Sequence, residues 1–198
     1  YKEHIERNKK MKRWISGILG LLVLLSVIVF IRTYNAIMKP NTMITNDSEV
    51  SLYIHSDDDF ETIKNKLYSD SVVINRRSFE WLAKKLDYPK YIKSGHYVIK
   101  DGMNNNQLLN MLRSGNQIPI DFTFNNIRTI EQFAKEADDQ LELDSLSILK
   151  ALNEDSLLKE MGFKKESFAS LFIPNTYELY WNINPKDFIE KMTNEYKK

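Results

Sequence analysis

Eighteen consecutive residues, Trp14 to Ile31 (WISGILGLLVLLSVIVFI), carry no charge and no polar side chains beyond Trp14, Ser16 and Ser26. As a helix this run spans roughly 27 Å, close to the ~30 Å hydrocarbon core of a bilayer. Helices in soluble cores are rarely apolar on every side for so long. A cleaved leader has a shorter apolar run and a small-x-small site after it. Here Arg32, Thr33, Tyr34 and Asn35 follow instead. The run therefore reads as an uncleaved single-pass anchor, with residues 14–32 as the transmembrane helix. Lys2, Arg7, Lys9, Lys10, Lys12 and Arg13 precede it, against only Glu3 and Glu6. Short flanks rich in Lys and Arg stay in the cytoplasm. The basic tail, residues 1–13, is expected inside, and everything after Arg32 outside.

Charge narrows the outer part further. The chain holds 28 cationic and 27 acidic side chains, and taking away the tail and Arg32 leaves 21 against 25. A nucleic-acid binder would show a basic face, so that partner class is excluded. The absence of cysteine excludes disulfide scaffolds, thiolate nucleophiles and Cys-zinc sites. The chain begins with Tyr1 and stops within an amphipathic pattern at Lys198, so it is expected to be a fragment.

Residues 33–48 read as a linker, because Pro40 cannot continue a helix and Asn41, Thr42, Thr45, Asn46, Asp47 and Ser48 follow. Val50, Leu52 and Ile54 alternate with polar residues and predict a strand. Ser56 with Asp57, Asp58 and Asp59 predicts a capped helix bearing Phe60, Ile63 and Leu67. Metal binding by His55 and these acids is the weaker reading. A helix over about 76–86 shows Phe79, Leu82, Ala83 and Leu86 on one face, and 96–99 reads as a second strand. His96 is expected at a surface or edge. Two strands alone cannot bury a face, so both helices must cover one side of the pair.

A helix over 105–114 ends at Gly115. From Ile118 the period becomes two, through Ile120, Phe122 and Phe124, and Pro119 sets an edge. Thr129 and Gln132 predict a capping box, followed by short helices near 144–152 and 155–161. Asn184-Pro185 opens a last helix that buries Phe188, Ile189, Met192 and Tyr196. The fold class is α+β.

Ser170 to Trp181 (SLFIPNTYELYW) is the densest informative stretch. Tyr177, Tyr180 and Trp181 offer flat apolar faces with polar tips, suited to stacking on sugar rings. Asn175 could hold a substrate amide and Glu178 could act on a proton. An aromatic core crossing with a Pro-Asn turn explains the same residues. No G-x-S-x-G, phosphate loop or H-E-x-x-H occurs.

These features together resemble the endolytic murein transglycosylase family, MltG or YceG-like. Ser94-Gly95-His96-Tyr97-Val98-Ile99 is similar to its K-x-G-x-Y segment, and Gln107 through Gly115 to its L-x-x-L-x-x-G helix. Phe124-Asn125-Asn126-Ile127-Arg128-Thr129 stands where the family has its EG-x-(R/T) turn. Phe172-Ile173-Pro174-Asn175-Thr176-Tyr177 resembles the F-x-P-D-T-Y motif, with Asn175 in place of Asp and Ala169-Ser170 in place of Glu-Gly.

The resemblance implies a LysM-like subdomain at 49–117 and the start of an incomplete catalytic domain at 118–198. It implies a lytic transglycosylase of nascent peptidoglycan in the bacterial cytoplasmic membrane, with glycan strands and cell-wall synthesis proteins as partners. No cofactor or metal is required. The family's catalytic Glu belongs to a helix expected beyond Lys198, so no catalytic residue is assigned. Asn175, Tyr177, Glu178 and Trp181 are the substrate-binding candidates. The alternative is a non-catalytic, membrane-tethered peptidoglycan-binding or scaffold module.

Overall fold

The computed structural model describes residues 2–45, 48–125, 127–152 and 175–197, with side chains from Trp14 onward. It is a mixed α+β structure led by one long apolar helix, α1, Lys2–Met38. One stretch, Trp14–Met38, is long and apolar enough to cross a membrane, and none of its most apolar part is buried against the rest of the chain. The expected helix at 155–161, the Phe168 to Pro174 part of the aromatic stretch, and Asn126 lie outside the described residues.

Helix α1 does not give way to a linker at Thr33. It continues to Met38, and Ile37 packs on the first hydrophobic core. Asn105 explains why the helix persists: its Nδ2 donates to the Ala36 carbonyl at 2.8 Å, one of the last carbonyls of α1. Past Pro40 the chain remains held. Asn41 and Thr42 are buried, the Asn41 amide donates to Asn105 Oδ1 at 2.7 Å, and its Oδ1 accepts from the Asn75 backbone at 2.7 Å. Thr42 Oγ1 donates to the Lys100 carbonyl at 2.8 Å. At least through Ile44, whose N–H donates to Asp101, the expected linker is part of the first unit. Asn105→Ala would leave the Ala36 carbonyl and the Asn41 amide short of partners in a buried place. The expected loss is about 2 kcal/mol, with faster amide exchange at the end of α1 as the measurement.

The first unit runs β1 (Glu49–Ile54), α2 (Phe60–Ser69), α3 (Arg76–Lys85), β2 (Gly95–Lys100) and α4 (Asn105–Ser114). Strands β1 and β2 pair antiparallel, with Leu52 opposite Tyr97 and Ile54 opposite Gly95. Leu52, Ile54, Tyr97 and Ile99 point to one face and pack on Ile63, Leu67, Phe79, Leu82 and Leu109 from the helices. Both helices thus cover one side of the strand pair. Burial pushes the Tyr97 phenol up to about 12, and its hydroxyl donates to the Lys93 carbonyl at 2.9 Å.

The caps show where local signals competed. Asp59, not Ser56, caps α2, accepting from Thr62 N–H at 2.8 Å. Asp58 is taken by Lys66 and the His55 backbone. For α4 the capping box of Asn104 and Gln107 is complete, and Gly115 ends the helix at φ 73°, the left-handed region where glycine has no Cβ penalty. Gly95 has φ 144°, and a Cβ there would come within 2.4 Å of Gln117 Oε1. The positive φ, which L side chains rarely adopt, is the physical content of glycine in the Ser94-Gly95-His96-Tyr97 motif.

The second unit runs β3 (Ile120–Phe124), α5 (Ile130–Gln140), α6 (Ser145–Leu152), β4 (Asn175–Leu179) and α7 (Pro185–Tyr196). Its core is aromatic: Phe122, Phe124, Phe133, Tyr177 and Phe188, with Ile148, Leu179, Ile189 and Met192 around them. Thr193, not Tyr196, completes the buried face of α7, and Tyr196 stays 42% exposed. A tyrosine one full turn past Met192 reaches the rim, where its hydroxyl can meet water.

Candidate functional site

The aromatic stretch is built on β4, which pairs antiparallel with β3 in the register Asp121 to Glu178, Phe122 to Tyr177 and Thr123 to Thr176. Strand alternation divides its side chains between two faces. Tyr177 and Leu179 point into the core, while Thr176 and Glu178 point outward beside Thr123 and Asp121. Thr123 and Thr176 hydroxyls meet at 3.0 Å. The far edge of β3 is closed by Gln140, whose amide bonds both the N–H and the carbonyl of Thr123.

The four candidates therefore separate. Asn175 is exposed, and its Oδ1 accepts from the Thr176 N–H at 2.8 Å. Glu178 is exposed on the outer face. Tyr177 is 5% exposed, and its ring stacks on Phe124 at 5.7 Å and 6°. Burial pushes its phenol above the usual range, so it stays neutral. A ring in that position has no open face, so direct stacking of Tyr177 on a sugar is corrected: it packs the core. Tyr180, just past β4, is 54% exposed and, among the described aromatics of this stretch, is the one that faces solvent.

Trp181 is 7% exposed and sits in the seam between the two units. Its ring meets the edges of Tyr53 at 5.1 Å and His55 at 4.8 Å, both from the first unit. Its carbonyl accepts from the Glu142 N–H at 2.8 Å. The Glu142 carboxylate accepts from Ser56 Oγ at 3.0 Å, and the Asn182 amide donates to the Ser94 carbonyl and hydroxyl at 3.0 Å. His96 belongs to this seam and is 8% exposed. It stacks on Tyr53 at 4.6 Å, and its ring nitrogens contact Ser51 Oγ at 2.9 Å and the Ile118 carbonyl at 3.2 Å. The expected surface or edge position for His96 fails: the Tyr53 ring stacks on it and the Ile118 backbone bonds its carbonyl and ring, so it is buried. Sequence periodicity carries no signal for that. Beside the seam lies a polar cavity of about 380 Å³, lined by His55, Ser56, Lys93, Ser94, Gln117 and Asn182 among others.

Among the described residues, no group of three or more His, Asp or Glu side chains is placed to hold a metal ion. The carboxyls of Asp59 and Glu131 are held below the usual range by hydrogen bonds at the starts of their helices. The described residues thus hold an exposed outer face on β3 and β4 beside a seam joined by Trp181, Glu142 and Asn182.

The described architecture is a single span-length apolar helix followed by a small βααβ unit and a second α+β core. The chain belongs to the YceG-like family, that of the MltG endolytic transglycosylases, whose sequence profile matches residues 52–198. Among solved structures it is similar to a YceG-like protein from Listeria monocytogenes, with 16% identity and a TM-score of 0.40 over 75% of this chain. The chain spans about half, 54%, of the length of that protein. No curated protein matches the sequence.

Proposed function

We propose that this chain is the anchor and leading part of an endolytic peptidoglycan transglycosylase that works on nascent glycan strands. The family match over residues 52–198 carries the reading. The α1 helix supports it, being long and apolar enough to span a membrane, and on this reading the basic tail stays inside and the first unit lies outside. On this reading residues 49–117 are a LysM-like unit and 118–198 open the catalytic domain.

In the reaction, a glutamic acid protonates the glycosidic oxygen and the C1–O bond breaks through an oxocarbenium-like state. The 6-hydroxyl of the same muramic residue then attacks C1 and loses its proton to the same carboxylate, leaving a 1,6-anhydro end. No cofactor takes part. That glutamate is expected in sequence following Lys198. The described residues contribute binding: Glu178 offers a hydrogen-bond partner on the outer face of β3 and β4, Asn175 is exposed at the start of β4, Tyr180 offers an open ring, and Tyr177 and Trp181 pack behind them.

The test is to incubate the protein, continued past Lys198, with purified glycan strands and to search by mass spectrometry for anhydro-muramic ends. Their appearance supports the reading; strand binding without such ends supports a tethered binding or scaffold module. Within the present chain, Tyr180→Ala is expected to weaken binding to glycan strands roughly fivefold, the equivalent of about 1 kcal/mol for one stacked ring. Unchanged affinity in a sedimentation assay would remove Tyr180 from the surface that meets the glycan.

A further inference from the structure

We propose that the cavity between the end of α1 and the start of α3 binds the phosphodiester of an anionic phospholipid in the outer leaflet. The proposal rests on the membrane-anchor reading above and assigns a lipid site to it. The cavity measures about 440 Å³ and is lined by Arg32, Asn35 and Ala36 on one stripe of α1 and by Lys39 just past its end, facing Ile74, Asn75 and Ser78. No acidic side chain lines it. Among the described residues neither Arg32 nor Lys39 has an ion-pair partner.

Three observations point to a lipid phosphate. The first is depth. Arg32 is the first charge after the apolar run, and Lys39 stands seven residues later, about 10 Å along the helix axis. The headgroup layer extends roughly 5–8 Å beyond each side of the hydrocarbon core. With Arg32 at the edge of the hydrocarbon core, the Arg32–Ala36 side of the cavity lies within the headgroup layer and Lys39 just outside it.

The second is rigidity. Asn105 ties Ala36 to Ser78, and Asn41 ties the following segment to Asn75. The cavity walls are thus held together by buried amides whose own hydrogen bonds are satisfied. The cations at the rim have no such partner.

The third is charge placed against local preference. Arg76 and Arg77 open α3, with no acid in its first turn. A helix N-terminus disfavours cations. Arg76 is occupied by the Tyr68 ring and carbonyl, and Arg77 adds a second cation to the helix end that borders the cavity at Asn75 and Ser78. The outer part of the chain is otherwise acidic. Ile74, 57% exposed at the cavity edge, suits the acyl-headgroup boundary.

The experiment uses the full chain in nanodiscs and in detergent. Co-elution with nanodiscs is scored first, since failure to insert overturns the anchor reading and this site with it. Native mass spectrometry then compares phosphatidylglycerol with phosphatidylcholine. The wild type is expected to retain phosphatidylglycerol preferentially, and Arg32→Gln and Lys39→Gln to weaken that retention about fivefold each. Lys9→Gln/Lys10→Gln, in the basic tail, reports binding at the opposite leaflet and is expected to leave the effect of Lys39→Gln unchanged.

The decisive variant is Asn35→Trp, which fills the cavity without changing charge and is expected to lose the lipid as the cation variants do. Retention of phosphatidylglycerol by an inserted Asn35→Trp protein overturns the proposal, because the cations then act only as surface charge. Displacement of the lipid by millimolar inorganic phosphate also overturns it, in favour of a soluble-anion site.

Discussion

Phe122→Ala is expected to destabilise the second unit by about 3–5 kcal/mol, the range for emptying a buried phenylalanine position. Phe122 is fully buried and meets Phe124 at 5.6 Å, Phe133 at 6.2 Å and Phe188 at 5.4 Å. It also faces Tyr177 across the strand pair. One ring thus joins β3, α5, β4 and α7. The stack of Phe133 on Phe188, at 5.4 Å and 17°, would border the resulting void. These rings are rigid and cannot close the gap, so relaxation recovers little of the loss. Hydrogen exchange on the full chain in micelles is the measurement. Amides of α5 and α7 should lose protection while those of α2 and α4 keep theirs. A loss below 1 kcal/mol would show that the aromatic cluster is not the centre of this core.

Trp181→Ala is expected to cost about 3 kcal/mol and to change how the molecule unfolds. In the wild type the seam couples the two cores through the Trp181 ring, the Glu142 to Ser56 bond and the Asn182 to Ser94 bonds. Without the ring, Tyr53 and His55 face an empty wedge, and water reaches the remaining hydrogen bonds. Wild-type protein should lose protection in both units together as urea rises. The variant should show two separated transitions, with the second unit opening first. A single unshifted transition would mean that the polar bonds hold the seam without the indole. Trp181→Phe, which keeps an apolar ring, should recover part of the coupling.

Much of the first unit was legible because its signals are local. The ranges of β1, α3, β2 and α4 follow from alternation, helical spacing and turn glycines within each segment. The boundary at Gly115 and the cap at Asn184 depend on backbone geometry that a few neighbouring residues dictate. The cap of α2 was read three residues early. Ser56 and Asp59 carry the same capping chemistry, and the choice fell to Asp59 because Ser56 is drawn to Glu142, 86 positions away.

The candidate site was only half legible. Tyr177, Tyr180 and Trp181 look alike in the sequence, yet one is core, one faces solvent and one fills the seam. Strand β4 decides this, and β4 was not expected as a strand. The alternation of Tyr177 and Leu179 with Thr176 and Glu178 was its only local trace.

What the sequence determined by itself is the long apolar helix, the mixed α+β class and the family, since each follows from composition, periodicity or motifs along a continuous stretch. What the tertiary structure alone decided is the joining of α1 to the first unit through Asn105, the burial of His96, and the sorting of the aromatics. Those depend on residues far apart in the chain meeting in space, and the closing partner of each contact leaves no mark on the periodicity of its own segment.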